Sequence, residues 1–243
     1  MDPLTISAAS GLRSRMESLD MLANNIANAS TGGYKADREF YSLYAAPEAE
    51  GPISGPDTLP VIERPWTDFS QGELRPTGNP LHVALQGKGF FSVNGPGGPL
   101  YTRDGSFHLS PARQLVTGDG YPVRDTGGNP ITLTSETPVE ISPDGTLRQD
   151  GQAAGQVAVM DFADPAALSK VGHNYFRPGE GRAVPAAGYE VQQGSLESSN
   201  ASSAEAAVRL VSVMRQFEML QKAASLGGEM NRKAVEEVAR VSS

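Results

Sequence analysis

The residues Ala23-Asn24-Asn25-Ile26-Ala27-Asn28-Ala29-Ser30-Thr31-Gly32-Gly33-Tyr34-Lys35 close an N-terminal helical pattern and open onto a chain of different composition. Behind them, Leu12, Met16, Leu19, Ala23 and Ile26 recur at alternating spacings of four and three, which places them along one narrow stripe of a helix. Ahead of them, Gly32-Gly33 can take the left-handed backbone that ends a helix. A stripe of this kind requires a partner, and the same spacing returns only near the other end, at Leu210, Val213, Phe217, Leu220 and Ala224. The chain is therefore expected to begin and end in one coiled-coil-like helical domain.

Asp2-Pro3 is a favourable helix start, because Asp accepts from an orphan N–H and Pro at the first position has none to leave unpaired. The first helix is expected from about residue 3 to about residue 28. Asn24, Asn25 and Asn28 compete for backbone bonds, so its last turn is either weak or specifically bonded across an interface. The second long helix opens at Ser202, where Ser202 and Glu205 have capping-box spacing, and extends to about residue 240. Gly227-Gly228 predicts a kink or an early end there.

Between the helices, residues 36 to 65 carry a Pro- and Gly-rich, apolar-poor stretch that reads as an extended linker. From residue 66 to 198 the pattern changes to short runs of β-branched and aromatic residues. The expected strands are Leu81 to Leu85, Phe90 to Val93, Leu100 to Arg103, Phe107 to Leu109, Gln114 to Val116, Ile131 to Leu133, Val139 to Ile141, Thr146 to Arg148, Gln156 to Met160 and Tyr189 to Gln192. Turn signals such as Asp104-Gly105, Asp119-Gly120 and Asp144-Gly145 separate them too closely for crossover helices, so the sheet should be mainly antiparallel; Pro165 to Lys170 alone suits a short helix. The resulting fold class is α+β multidomain. Residues 1–35 and 199–243 form a discontinuous helical domain, 36–65 a linker, and 66–198 a central all-β domain.

A net charge of −8 with no run of Lys or Arg argues against a phosphate-binding surface and hence against nucleic acid as a partner. The absence of cysteine removes disulfides, thiolate metal sites and thiol nucleophiles together. No stretch approaches the length of a membrane span, and no basic segment leads into an uninterrupted apolar one, so neither insertion nor a cleaved signal peptide is expected. Gly87-Lys88-Gly89 lacks phosphate-loop spacing, and His82, His108 and His173 are scattered without ligand spacing. No cofactor, metal or catalytic group is expected. A secreted carbohydrate-processing or carbohydrate-binding β protein is the rival reading, motivated by the acidic Gly-rich strands and the single Trp66, and its paired carboxylates would be a spatial rather than a sequential feature.

Two amphipathic helices alone cannot bury a stripe on all sides, and small residues such as Ala8, Ala9, Gly11, Ala206 and Ala207 suit close approach of several helices. The expected subunit interface is Leu12, Met16, Leu19, Ala23, Asn24, Asn25, Ile26 and Asn28 on the first helix, with Leu210, Val213, Phe217, Leu220 and Ala224 on the second.

Four ordered stretches carry a resemblance. They are Asn24-Asn25-Ile26-Ala27-Asn28 with Ser30 to Lys35, then Gln71-Gly72-Glu73-Leu74-Arg75-Pro76-Thr77-Gly78-Asn79-Pro80-Leu81, then Gly87-Lys88-Gly89-Phe90-Phe91, and Gln193-Gly194-Ser195-Leu196-Glu197-Ser198-Ser199-Asn200. Together they resemble the bacterial flagellar rod and hook family. Within it, the Met1-Asp2-x-Leu4 start and Arg215-Gln216-Phe217-Glu218 are most similar to the proximal rod type, with the distal rod type as the alternative. The resemblance implies a structural, non-enzymatic subunit that stacks helically into a torque-transmitting tube across the periplasm. It implies other copies and other rod proteins as partners, and export through the flagellum's own type III apparatus without a cleaved signal.

Overall fold

The structure, a computed structural model, describes residues 3–45, 58–135, 137–172, 174–179 and 181–241. The Asp2 helix start, His173 and much of the Pro/Gly-rich stretch, residues 46–57, lie outside the described residues. Two compact units are present: a helical unit of Met1–Ala27, Asp37–Trp66 and Ser202–Ser243, and a β unit of Asn28–Ala36 and Thr67–Ala201.

The helical unit pairs α1, Pro3–Ala27, with α2, Ser203–Val241. At the start of α2 the Ser202 Oγ accepts from the Glu205 N–H at 3.3 Å, the first half of the capping box. α2 continues through Gly227 and Gly228, so of the expected kink or early end the early end does not occur. Each costs only about 1 kcal/mol relative to Ala, and a run of good helix formers follows them. Leu22, Ala206 and Val213 form a buried cluster, with Leu19, Ile26 and Leu210 packed against it. Gly11 lies against Leu220, where an added Cβ would sit 3.4 Å from a leucine methyl. Leu22 near Ala206 and Gly11 near Leu220 make the pair antiparallel.

On α2 the expected stripe faces α1: Val213 is buried and Leu210, Phe217, Leu220 and Ala224 are half-buried. On α1 the inner face is rotated from the expected one. Ser14, Ser18, Leu22 and Asn25 are buried, Leu12, Leu19 and Ile26 are half-buried at its edge, and Met16, Ala23 and Asn24 face out. Serine is small enough for close helix approach, and the Ser18 hydroxyl satisfies itself on the Ser14 carbonyl at 3.1 Å.

The last turn of α1 is specifically bonded. The Asn25 amide donates to the Asp37 carbonyl at 2.8 Å and accepts from the Asp37 N–H at 3.0 Å, so it acts as a strand partner for its own chain. Beyond it, Asp37–Ala45 and Thr58–Thr67 form a two-stranded sheet. The described parts of the expected linker are thus paired strands. Clusters of β formers at Phe40, Tyr41, Leu43, Tyr44 and at Leu59, Val61, Ile62 flank the Pro/Gly-rich stretch and outweigh its composition.

The β unit is mainly antiparallel. Its largest sheet runs, in spatial order, Leu168–Val171, Tyr175–Pro178, Gly98–Thr102, Phe90–Gly95, Val159–Asp161, Val184–Pro185. Glu190–Gln193 pairs with Val83–Gln86, and Ser195–Glu197 pairs with Leu74–Pro76. The core gathers Val83, Leu85, Phe91, Val93, Leu100 and Phe107 with the buried aliphatics that follow. Ile131 and Leu133 are buried as a strand would require, yet only Thr132 bridges a neighbour, Gln114. The expected helix at Pro165 to Lys170 is a 3-10 turn, Pro165–Ala167, capped by the Asp164 carboxylate, and it runs directly into the edge strand Leu168–Val171.

Candidate functional site

Segments far apart in the sequence, around Lys35, Gly72, Gly87 and Glu197, converge inside the β unit. Glu197, at the end of Ser195–Glu197, has no exposed side-chain surface. Its Oε1 accepts from the Lys35 Nζ at 2.6 Å and from the Gly72 N–H at 2.9 Å, and its Oε2 accepts from Arg103 Nη1 at 3.3 Å. Lys35 also donates to the Ser70 carbonyl at 2.6 Å, and Arg103 to the Gly87 carbonyl at 2.7 Å. One carboxylate therefore holds two buried cations. Burial pulls both the Lys35 ammonium and the Arg103 guanidinium below their ordinary pKa values, and the Glu197 charge opposes that pull in each case.

Neighbouring bonds extend the junction along the backbone. Asn200 accepts from the Ala36 N–H at 2.8 Å and donates to the Asp68 carbonyl at 2.7 Å, while the Asp68 N–H donates to Ala36 O at 2.8 Å. The Gly33 N–H donates to the Glu197 carbonyl at 2.8 Å. Lys170 donates to the Lys35 carbonyl at 2.7 Å, with its ammonium 4.5 Å from the centre of the Tyr34 ring. Glycine is required where backbones touch: a Cβ at Gly33, whose φ is +65°, would lie 2.2 Å from Asp104 N, and one at Gly72 would lie 2.0 Å from Ser198 O. The segments so tied, 33–36, 68–72 and 197–200, all belong to the β unit. With its oxygens occupied by cations and an N–H, Glu197 is placed to hold chain segments together rather than to move protons.

The helical unit presents a second feature. On the side of α2 opposite its seam, Val208, Val211, Met219, Leu226 and Met230 are 74%, 50%, 63%, 51% and 72% exposed. An open groove of about 520 Å³ follows Val208, Val211, Ser212, Arg215, Gln216 and Met219. Among the described residues, no group of three or more His, Asp or Glu side chains is placed to hold a metal ion, and no helix is long and apolar enough to cross a membrane.

Of the expected interface residues, Asn25 is committed to Asp37, while Leu19, Ile26, Leu210 and Val213 are spent wholly or partly within the chain. Two features went unread in the sequence. The Lys35–Glu197–Arg103 junction joins residues far apart in the chain, although Lys35 and Glu197 each sit in a quoted motif. The outer apolar face of α2 was visible as a second helical period and was masked by the stronger seam pattern.

Comparison with known proteins gives three family matches. Residues 7–35 match the flagella basal body rod protein family, 84–149 the flagellar hook protein FlgE/F/G D1 domain, and 192–237 the flagellar basal body rod FlgEFG protein C-terminal region. The flagellar basal-body rod protein FlgF of Caulobacter vibrioides is 34% identical over 226 residues, covering 92% of both chains. FlgF of Mesorhizobium japonicum is 32% identical, covering 88% of each, and the rod protein FlgG of Borreliella burgdorferi is 32% identical, covering 92% of this chain and 94% of its own. These likenesses span both units, and the chain belongs to the flagellar basal-body rod protein family.

Proposed function

We propose that this chain is a structural subunit of the flagellar basal-body rod, of the proximal type, that polymerises through its terminal helices into the shaft carrying motor torque to hook and filament. The observation that carries the reading is that both chain ends pair as α1 and α2 while α2 keeps Val208, Val211, Met219, Leu226 and Met230 exposed on its outer face. Large exposed apolar patches mark interaction surfaces. On this reading the subunit is exported by the flagellar type III apparatus without a cleaved signal and works where the rod crosses the periplasm. Other copies and other rod proteins are its partners. The FlgG relatives support the distal rod as the second reading, which nanogold labelling of the subunit along isolated basal bodies distinguishes by axial position.

Deleting the gene should abolish swimming, and expressing the chain from a plasmid should restore it. Leu220→Asp should fail to restore it, because a charge set against Gly11 in the packed seam costs several kcal/mol, about 3, in every subunit. The thermal unfolding of the β unit in the purified variant should match that of the parent chain. Deletion cells that swim normally would contradict the rod role.

A further inference from the structure

The helical unit concentrates the readily oxidised side chains of the protein. The chain has no cysteine, so its thioethers are the groups that a mild oxidant reaches first. Met16, Met214, Met219 and Met230 are 56%, 48%, 63% and 72% exposed. The other methionines among the described residues are shielded: Met21 is half-buried on α1, and Met160 packs against the Phe90, Tyr101, Phe162 and Phe176 cluster of the β unit. All four accessible sulfurs therefore lie on the two terminal helices.

The two most exposed sulfurs sit on the apolar outer face of α2. Met219 and Met230 are separated by three helical turns, which at about 100° per residue leaves them only about 20° apart, on the stripe that also holds Val208 and Leu226. Met219 lines the open groove together with Val208 and Val211. Valine and leucine serve packing at such positions and are inert to mild oxidants, whereas methionine packs equally well and carries a reactive sulfur. Its sulfoxide has nearly the same length and is polar, so a single added oxygen turns an apolar contact into a polar one.

We propose that Met219 and Met230 form a reversible oxidation site in the free subunit, whose oxidant is a hypohalous acid and whose product, the sulfoxide, keeps the subunit out of the rod. The sulfur lone pair attacks the chlorine of hypochlorous acid and displaces hydroxide. Water then adds to the chlorosulfonium sulfur, and loss of chloride and protons leaves the S=O bond. Two electrons pass from sulfur to chlorine, and the net change is thioether plus hypochlorous acid to sulfoxide, chloride and a proton. A methionine sulfoxide reductase reverses it, a dithiol being oxidised to the disulfide and the oxygen leaving as water. This inference rests on the rod reading and adds to it a regulation of the same apolar face.

The test uses the full chain. Purified chain titrated with hypochlorous acid and mapped by peptide mass spectrometry should carry sulfoxide at Met219 and Met230 at least about fivefold ahead of Met21 and Met160, and methionine sulfoxide reductases should remove it. Oxidation that reaches Met160 as early as Met219 would overturn the site. In the gene-deletion host, sublethal hypochlorite should lower the amount of newly made parent chain retained in basal bodies by at least about tenfold, while a Met219→Leu, Met230→Leu chain, which keeps volume and apolarity, is retained as it is without oxidant. Met219→Gln with Met230→Gln, a polar stand-in of similar length, should be poorly retained with no oxidant present. A leucine chain as sensitive to hypochlorite as the parent, or a glutamine chain retained at parental level, would overturn the inference. Deletion cells that swim would instead sink the rod reading itself, so the two failures are told apart.

Discussion

Glu197→Gln should lower the unfolding temperature of the β unit by about 10 °C. The substitution keeps the volume and removes only the charge that Lys35 and Arg103 share. Two cations are then left facing each other with side chains 1% and 5% exposed, and the new amide presents donors where only acceptors fit. Removing one partner of a buried pair costs about 3–5 kcal/mol, mostly through the charge left uncompensated. Lys35→Met added to Glu197→Gln should recover part of the loss by removing one of those charges, a non-additivity expected only of groups in contact. Differential scanning calorimetry of the purified chain measures all three. A Glu197→Gln variant melting with the parent would mean that the junction is solvated and carries little of the unit's stability.

Gly33→Ala should be nearly as damaging, for a different reason. At φ +65° an alanine incurs about 1–2 kcal/mol of left-handed strain, and its Cβ would then meet Asp104 N at 2.2 Å and Arg103 C at 2.4 Å. Both are backbone atoms on the strand exit that carries Arg103 to Glu197, so neither can move without pulling on the junction. Gly78 provides the control: its φ is +74°, and nothing lies within 4 Å of the Cβ it would gain. Gly78→Ala should cost the strain alone, about 1–2 kcal/mol. Urea unfolding of the two variants should show Gly33→Ala the worse by at least about 2 kcal/mol, the usual scale of overpacking. Equal losses would show that the close approach at Gly33 is relieved by a small backbone shift.

The architecture was legible because its signals are periodic. The seam of α2 could be read from Leu210, Val213, Phe217, Leu220 and Ala224, since a spacing of three and four admits one helical face. The same reasoning misplaced the face of α1, because it weighted Met16 and Ala23 by hydrophobicity, whereas Ser14 and Ser18 face inward by being small. Strands rich in β-branched and aromatic residues, such as Phe90–Gly95, were visible; Leu74–Pro76 and Ser195–Glu197 were not, because three residues carry no period and Pro76 argues against a strand. The strands Asp37–Ala45 and Thr58–Thr67 were hidden by the composition of the stretch between them. The junction was illegible for a more basic reason. Lys35 and Glu197 are 162 residues apart, and no local pattern records which buried charge a distant strand will supply. What the sequence does hold is indirect: glycines at 33 and 72 that are needed only because another backbone passes within touching distance.

Electron cryo-microscopy of basal bodies isolated from gene-deletion cells, with and without the chain restored on a plasmid, tests the central claim most directly. The account predicts that restored cells show density for antiparallel α1–α2 pairs in the wall of the rod, and that deletion cells show a rod that stops short where that density begins. A complete rod of normal length in the deletion cells would contradict it.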